Sequence, residues 1–116
     1  MSIIASIRMQ AQAGNISYTG HATQRMISRN ITSETVERIL SANDNQIVDI
    51  QSPSKKVGKE HTDSRYLVYS PNNEDVIVVS LLLSQPKPEV RVVTVEQVDD
   101  DIWDRNKGGN PAIKRK

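Results

Sequence analysis

The residues with the clearest chemical potential lie at four-residue intervals near the start of the chain: His21, Arg25 and Arg29. In a helix, residues four apart lie on neighbouring turns of one face, so these side chains would form a row. Imidazole is the natural acid or base near neutral pH, and guanidinium binds phosphate through paired hydrogen bonds. The spacing therefore predicts a site that binds or cleaves a phosphate group. The alternative is a solvated helix face, because rows of charge usually lie on the surface.

Two capped helices are needed to hold this row. Thr19 is a good N-cap for the first helix, and Asn30 tolerates the left-handed conformation that ends helices. Thr32 is then the N-cap of a second helix, and Ile31 before it can pack on Val36. The sequence predicts two helices joined by a tight corner.

The rest of the chain changes from helical to strand periodicity. Residues 2–12 carry apolar side chains at helical intervals, and from Gln46 onward the pattern is that of strands. The predicted strands are 46–50, 65–70, 75–84 and 89–96, with a polar loop at 52–64 and a turn at 71–74. The 75–84 segment is apolar on both faces, which predicts a central strand. We expect an α+β fold in which N-terminal helices pack on a twisted antiparallel sheet.

Length and composition limit the organisation of the chain. A chain of 116 residues forms one domain. We place this domain at residues 1–105, with Trp103 docking the chain end onto the sheet, and expect residues 106–116 to be a flexible basic tail. No apolar run is long enough to span a bilayer and no signal peptide is evident, so membrane anchoring is not expected.

Net charge and the number of metal-binding residues limit which ligands the chain is expected to bind. The formal net charge is only +1, so any nucleic-acid contact depends on local charge. The chain has no cysteine and two histidines, which argues against a metal or other cofactor. A metal site would have to use His61 with its neighbours Glu60 and Asp63, and we rank it last.

Several segments together resemble a known pattern. The resemblance covers about residues 18–95, and its segments are Tyr18-Thr19-Gly20-His21-Ala22, Arg25-Met26, Arg29-Asn30-Ile31-Thr32, Arg65-Tyr66-Leu67-Val68 and Arg91-Val92-Val93-Thr94. They resemble a small bacterial domain family of unassigned function that opens with His-Ala-x-x-Arg-Met. That family is similar to RelE-like and BrnT-like toxins and to the nuclease domains of contact-dependent inhibition toxins, which share the barnase, EndoU, colicin and RelE fold.

The resemblance implies a metal-independent endoribonuclease toxin that acts in the bacterial cytoplasm and is neutralised by a cognate immunity or antitoxin protein. The toxin is either free-standing or delivered from outside as the C-terminal part of a secreted protein. The chain is less basic than ribosome-bound toxins, so a free RNA such as transfer RNA is the expected substrate. Because fold similarity alone does not make an enzyme, the alternative is a non-catalytic module of the same fold that binds phosphate or a protein.

Metal-free RNA cleavage needs a base for the 2′-hydroxyl, an acid for the leaving 5′-oxygen and cations for the phosphoryl oxygens. We predict that His21 is the acid or base and that Arg25 clamps the transition state. The predicted catalytic set also contains Arg65, Tyr66 and, on the strength of the resemblance, Thr94. Tyr66 and Tyr69 lie on opposite strand faces by parity, so at most one of them faces the site.

Five more residues are predicted to contact the substrate: Arg29, Lys55, Lys56, His61 and Arg91. The lysines would steer the RNA backbone, and the arginines would add phosphate contacts. Two assignments keep a structural alternative. Thr94 is a good strand former wherever it lies, and a loop histidine such as His61 is usually solvated.

Overall fold

The computed structural model describes residues 2–51, 55–56, 59–60, 65–71, 75–82, 88–105 and 113–115, with backbone only at 55–56, 59–60 and 115. The helices are α1 Ile3–Gln12, α2 Gly20–Ser28 and α3 Ser33–Ser41. The strands are β1 Ile16–Tyr18, β2 Gln46–Gln51, β3 Lys55–Lys56, β4 Lys59–Glu60, β5 Arg65–Tyr69, β6 Asp75–Leu82, β7 Glu89–Gln97, β8 Trp103–Arg105 and β9 Ile113–Arg115.

Five of these strands form the main sheet, in the order β1-β7-β6-β5-β2. Strands β2, β5, β6 and β7 pair antiparallel, as the sequence predicts, and β6 is central. Strand β1 is the exception, because it pairs parallel with β7. The sheet is therefore mixed rather than antiparallel. Three residues are too few for a periodic signal, so β1 is not visible in the sequence.

One face of the sheet packs against the three helices, which confirms the α+β fold. The core on this face, here called the helix-side core, is formed by Ile7, Ala11, Ala22, Met26, Val36, Ile39, Leu40, Val68, Ile77, Val79, Val90, Val92 and Val95. Every member is 9% exposed or less. Helix α2 contributes only Ala22 and Met26, so most of its surface faces solvent. None of the described helices is long and apolar enough to cross a membrane.

The opposite face of the sheet packs against a short hairpin formed by β8 and β9. Trp103, which is 2% exposed, docks there as predicted. The chain end differs from the expected flexible tail, because residues 113–115 form β9 and Ile113 is 1% exposed. The apolar floor under the hairpin is the set of apolar side chains that β5 and β6 present on this face. Ile113 packs on them and helps to exclude water. The remaining tail residues, 106–112 and 116, lie outside the described residues.

The corner between α2 and α3 forms as its sequence predicts. Asn30 takes a left-handed conformation, with φ of 57°. The backbone N–H of Ile31 bonds the carbonyl of Met26 at 2.9 Å, and that of Asn30 bonds Ile27 at 3.2 Å. This pair of bonds is a Schellman motif, which ends a helix and turns the chain sharply. The Thr32 hydroxyl then accepts from the N–H of Thr35 and begins α3.

Candidate functional site

Helix α2 is fixed to the sheet at its first turn by Thr19. The Thr19 hydroxyl accepts a hydrogen bond from the N–H of Ala22 at 3.0 Å, which caps the helix. The same hydroxyl donates to the carbonyl of Val93 at 2.8 Å, and the Thr19 N–H donates to Val92. One side chain therefore both begins the helix and attaches it to β7. These bonds fix the first turn of α2, and His21 lies in that turn.

His21 and Arg25 are exposed on neighbouring turns of α2. Within the described part of the chain, neither side chain has a hydrogen-bond or ion-pair partner, so both are free to contact a ligand. His21 lies in the first helical turn, where unpaired backbone N–H groups and the helix dipole favour anions. The predicted pairing of an imidazole with a guanidinium on one accessible helix flank is present.

Arg29, the third member of the predicted row, has a different environment. Its Nε donates to Asp75 Oδ1 at 3.2 Å, its Nη2 forms an ion pair with the same oxygen, and its Nη1 donates to Gln97 at 3.2 Å. A step of four residues rotates the side chain by about 40° around the helix. The row therefore drifts from solvent at His21 to the sheet at Arg29. Arg29 holds the end of α2 against β6 and β7, and these contacts occupy its guanidinium group.

The sheet separates His21 from two of the other predicted catalytic residues, Arg65 and Thr94. Tyr66 packs against the helix-side core, as does Val79, its register partner. Arg65 and Arg91 pair with Ser80 and lie on the opposite face. Thr94 pairs with Val78 and lies on that opposite face as well. The single site predicted from the sequence is thus divided between two faces.

A β-bulge explains the position of Thr94. Val79 pairs with Val92 and Val78 with Thr94, so Val93 is an extra residue in β7. Simple alternation from Val92 would place Thr94 on the helix side. The inserted residue reverses that parity beyond the bulge, so Val95 enters the helix-side core and Thr94 faces away from His21.

Two hydroxyl groups of β1 are buried without a hydrogen-bond partner among the described residues. They belong to Ser17 and Tyr18, which lie on opposite faces because they are consecutive in a strand. Burial raises the pKa of Tyr18 above its usual value of 10.0, and the nearby Glu37 carboxylate adds to this increase. The predicted site did not include either hydroxyl, since burial in so short a strand leaves no sequence signal.

The remaining predicted contacts cannot be placed. His61 and Asp63 lie outside the described residues, and at Lys55, Lys56 and Glu60 only the backbone is described. Among the described residues, no three His, Asp or Glu side chains are arranged to hold a metal ion. The alternative metal site around His61 is therefore left as a prediction.

Residues 18–97 match a family described as a domain of unknown function (DUF4258). The chain belongs to this family. The matched region begins at Tyr18, directly before the capped helix α2, and ends at Gln97, the last residue of β7. No curated protein and no solved structure matches the chain.

The family match covers some elements of the fold and leaves others outside. The matched region contains α2, α3, strands β2, β5, β6 and β7 and only Tyr18 of β1, and with them every residue of the predicted site. Helix α1 and the β8–β9 hairpin lie outside it, although both contribute buried side chains to the cores. The candidate site is therefore a feature of the family region, while this chain adds packing elements at both ends.

Proposed function

We propose that this domain is a metal-independent endoribonuclease of the toxin type, with His21 as acid or base and Arg25 as the phosphate clamp. The observation that carries the proposal is the exposure of both side chains on adjacent turns of a helix fixed at each end. Arg29 has its donors directed to Asp75 and Gln97, so it supports this flank rather than binding RNA.

The chemistry needs few groups. A base removes the proton of the 2′-hydroxyl, the 2′-oxygen forms a bond to phosphorus, and the bond from phosphorus to the 5′-oxygen breaks as that oxygen receives a proton. One imidazole can accept the first proton and return it to the leaving oxygen. Arg25 is one helical turn away, where a guanidinium can stabilise the charge that builds on the phosphoryl oxygens.

Cleavage of labelled cellular RNA by the purified protein, in the presence of a chelator, tests the assignment. We expect His21→Ala to lower the cleavage rate by about 100-fold or more, the usual contribution of a positioned acid or base. Arg25→Ala should lower it by a similar factor, and Arg25→Lys should restore only part of the rate, because lysine keeps the charge but not the paired donors.

Two exposed residues provide matched controls. Ile27→Ala changes an exposed side chain on another side of α2, and Arg38→Ala removes one positive charge from α3. Both variants should cleave like the unaltered protein. If the His21 and Arg25 variants cleave at the rate of the unaltered protein, the site is rejected. If the unaltered protein itself does not cleave in the presence of chelator, the metal-free mechanism is rejected.

The second candidate function is a non-catalytic module that binds phosphate. The separation of Arg65 and Thr94 from His21 favours it, because that separation leaves the α2 flank with fewer reactive groups than the sequence predicts. Expression in bacteria distinguishes the two functions. A ribonuclease toxin should stop growth unless His21 is replaced, whereas a binding module should allow equal growth with either residue.

A neutralising partner follows from the same assignment. An immunity or antitoxin protein would be expected to cover the His21 and Arg25 flank with acidic residues, since complementary charge speeds association and excludes RNA. Transfer RNA is the first substrate to test, and action in the bacterial cytoplasm belongs to the same proposal.

A further inference from the structure

A second group of basic side chains lies on the face of the sheet opposite the helices. Arg65 of β5, Ser80 of β6 and Arg91 of β7 are register partners, so they form a row across three neighbouring strands. Ser17 of β1 pairs with Arg91 and extends the row to the sheet edge. The apolar floor under the hairpin ends at Val78, and Ser80 is the next β6 residue on this face.

The geometry of this row suits a phosphate group. Neighbouring strands are about 4.8 Å apart, so the backbones of Arg65 and Arg91 are separated by roughly 10 Å with Ser80 between them. Arginine side chains are long enough to converge across that distance. Both arginines are exposed, while Ser80 is only 8% exposed. The register therefore places an exposed arginine on each side of a mostly buried serine.

Hydrogen bonding on this face is incomplete. The Ser17 hydroxyl is buried without a partner in the described part of the chain, and such an unmade bond is costly unless a ligand or water satisfies it. Arg65 has no side-chain partner among the described residues. Arg91 donates to Glu89 at 3.0 Å, in an ion pair whose side chains are 44% and 25% exposed. Exposed ion pairs of this kind are weak, so a phosphate can replace the carboxylate.

We propose that Arg65, Arg91 and Ser80 bind a backbone phosphate of an RNA strand on the helix-free face of the sheet. The site is separate from the His21 flank and does not depend on cleavage. The connection between β2 and β5 supports RNA as the occupant. It leaves and re-enters the sheet at the Gln51 and Arg65 pair, and its three lysines, at 55, 56 and 59, outnumber its two carboxylates, Glu60 and Asp63.

The test uses a 2′-O-methyl oligoribonucleotide, which has no free 2′-hydroxyl and cannot be cleaved, with binding measured by fluorescence anisotropy. We expect Arg65→Ala and Arg91→Ala each to weaken binding about five- to tenfold, because each removes a charged pair of donors. Each should also reduce the slope of log affinity against log salt by about 0.7, the value for one lost phosphate contact to a single strand. Glu89→Gln should strengthen binding about two- to fivefold by freeing Arg91.

Arg38→Ala is the matched control, since it removes an exposed arginine from α3 and should leave binding unchanged. Unaltered binding by both sheet arginine variants would overturn the proposal. Inorganic phosphate, titrated by NMR, distinguishes the sources of the phosphate group. If the arginine variants weaken binding of phosphate but not of the oligonucleotide, the site takes a small phosphate and RNA is rejected as its occupant. Cleavage of unmodified RNA by the His21→Ala variant is measured in a separate assay, so failure of the nuclease proposal would be distinguished from failure of this site.

Discussion

Some of the polar side chains that the structure describes have hydrogen-bond partners and others do not. Arg29 donates hydrogen bonds to Asp75 and Gln97, and the Thr19 hydroxyl both caps α2 and donates to β7. The hydroxyl of Tyr18, by contrast, is buried and has no partner in the described part of the chain. Such a group lowers stability relative to a phenyl ring of the same shape.

Replacing Tyr18 by phenylalanine should therefore leave the free energy of unfolding unchanged or raise it by up to about 1 kcal/mol. Alkaline pH should increase the difference. Because burial and Glu37 raise the pKa of Tyr18, the folded protein resists ionisation that the unfolded chain undergoes near pH 10. The stability contributed by the neutral phenol is complete below that pH and is lost as pH rises through the folded pKa. Urea unfolding of the unaltered protein and of the Tyr18→Phe variant between pH 8 and 11 measures this difference in stability.

Glu37→Gln gives an independent check on the cause. It should move the pKa of Tyr18 only part of the way back to its usual value, since burial is the larger effect. Ultraviolet titration of the tyrosines follows this change. A Tyr18→Phe variant that lost stability at neutral pH would show that the hydroxyl has a partner, and the interpretation would be wrong.

At the scale of elements, α2 is a short, mostly exposed helix fixed at its two ends. Thr19 holds the first turn to β7, and the Arg29 ion pair with Asp75 holds the end. Between them only Ala22 and Met26 are buried. A nine-residue helix is marginal by itself, so its position depends on these end contacts. The candidate residues His21 and Arg25 lie between the two attachments.

Thr19→Ala should lower the free energy of unfolding by about 1–2 kcal/mol, because it removes both the cap and the bond to Val93. If RNA cleavage is confirmed, the same variant should reduce the cleavage rate at saturating RNA, although Thr19 itself is not proposed to touch RNA. Thr19→Ser retains the hydroxyl and should recover most of both losses. Denaturant midpoints and cleavage rates on matched samples provide the two measurements. Equal stability of the alanine and serine variants would contradict this role.

On the scale of the whole molecule, the sheet is covered on both faces, by helices on one and by the β8–β9 hairpin on the other. The hairpin brings Trp103 and Ile113 over Leu67, Val76 and Val78. It comes from the chain end and lies outside the family match, yet it completes the second core. Arg65 and Arg91, on the same face, are exposed.

Ile113→Ala should lower the free energy of unfolding by about 2–4 kcal/mol, the usual cost of truncating a buried isoleucine. Lys114→Ala, at the next and exposed position, should have almost no effect. Trp103, the single tryptophan, lies in the same cluster, so its fluorescence reports the transition directly. Equal stability of the two variants would show that the chain end is a loose tail after all.

Local features of this chain were predictable from its sequence, because they depend on residues a few positions apart. Both N-caps, the left-handed Asn30, the strand over Asp75–Leu82 and the docking of Trp103 were all predicted. The exposed pairing of His21 with Arg25 belongs to this group, since a helix and a four-residue spacing place them together. Caps and periodicity act within one or two turns, so no knowledge of the fold is required.

Tertiary structure decided which residues share a face. The parallel pairing of β1 with β7 joins segments more than 70 residues apart, and Arg29 meets a carboxylate 46 residues away. The extra residue in β7 sends Thr94 to the face opposite His21. Strand order, register and bulges arise from contacts between distant segments, and a single misplaced residue reverses the parity of all that follow. The sequence therefore predicted candidate residues, and only the fold showed that they lie on two faces of the sheet.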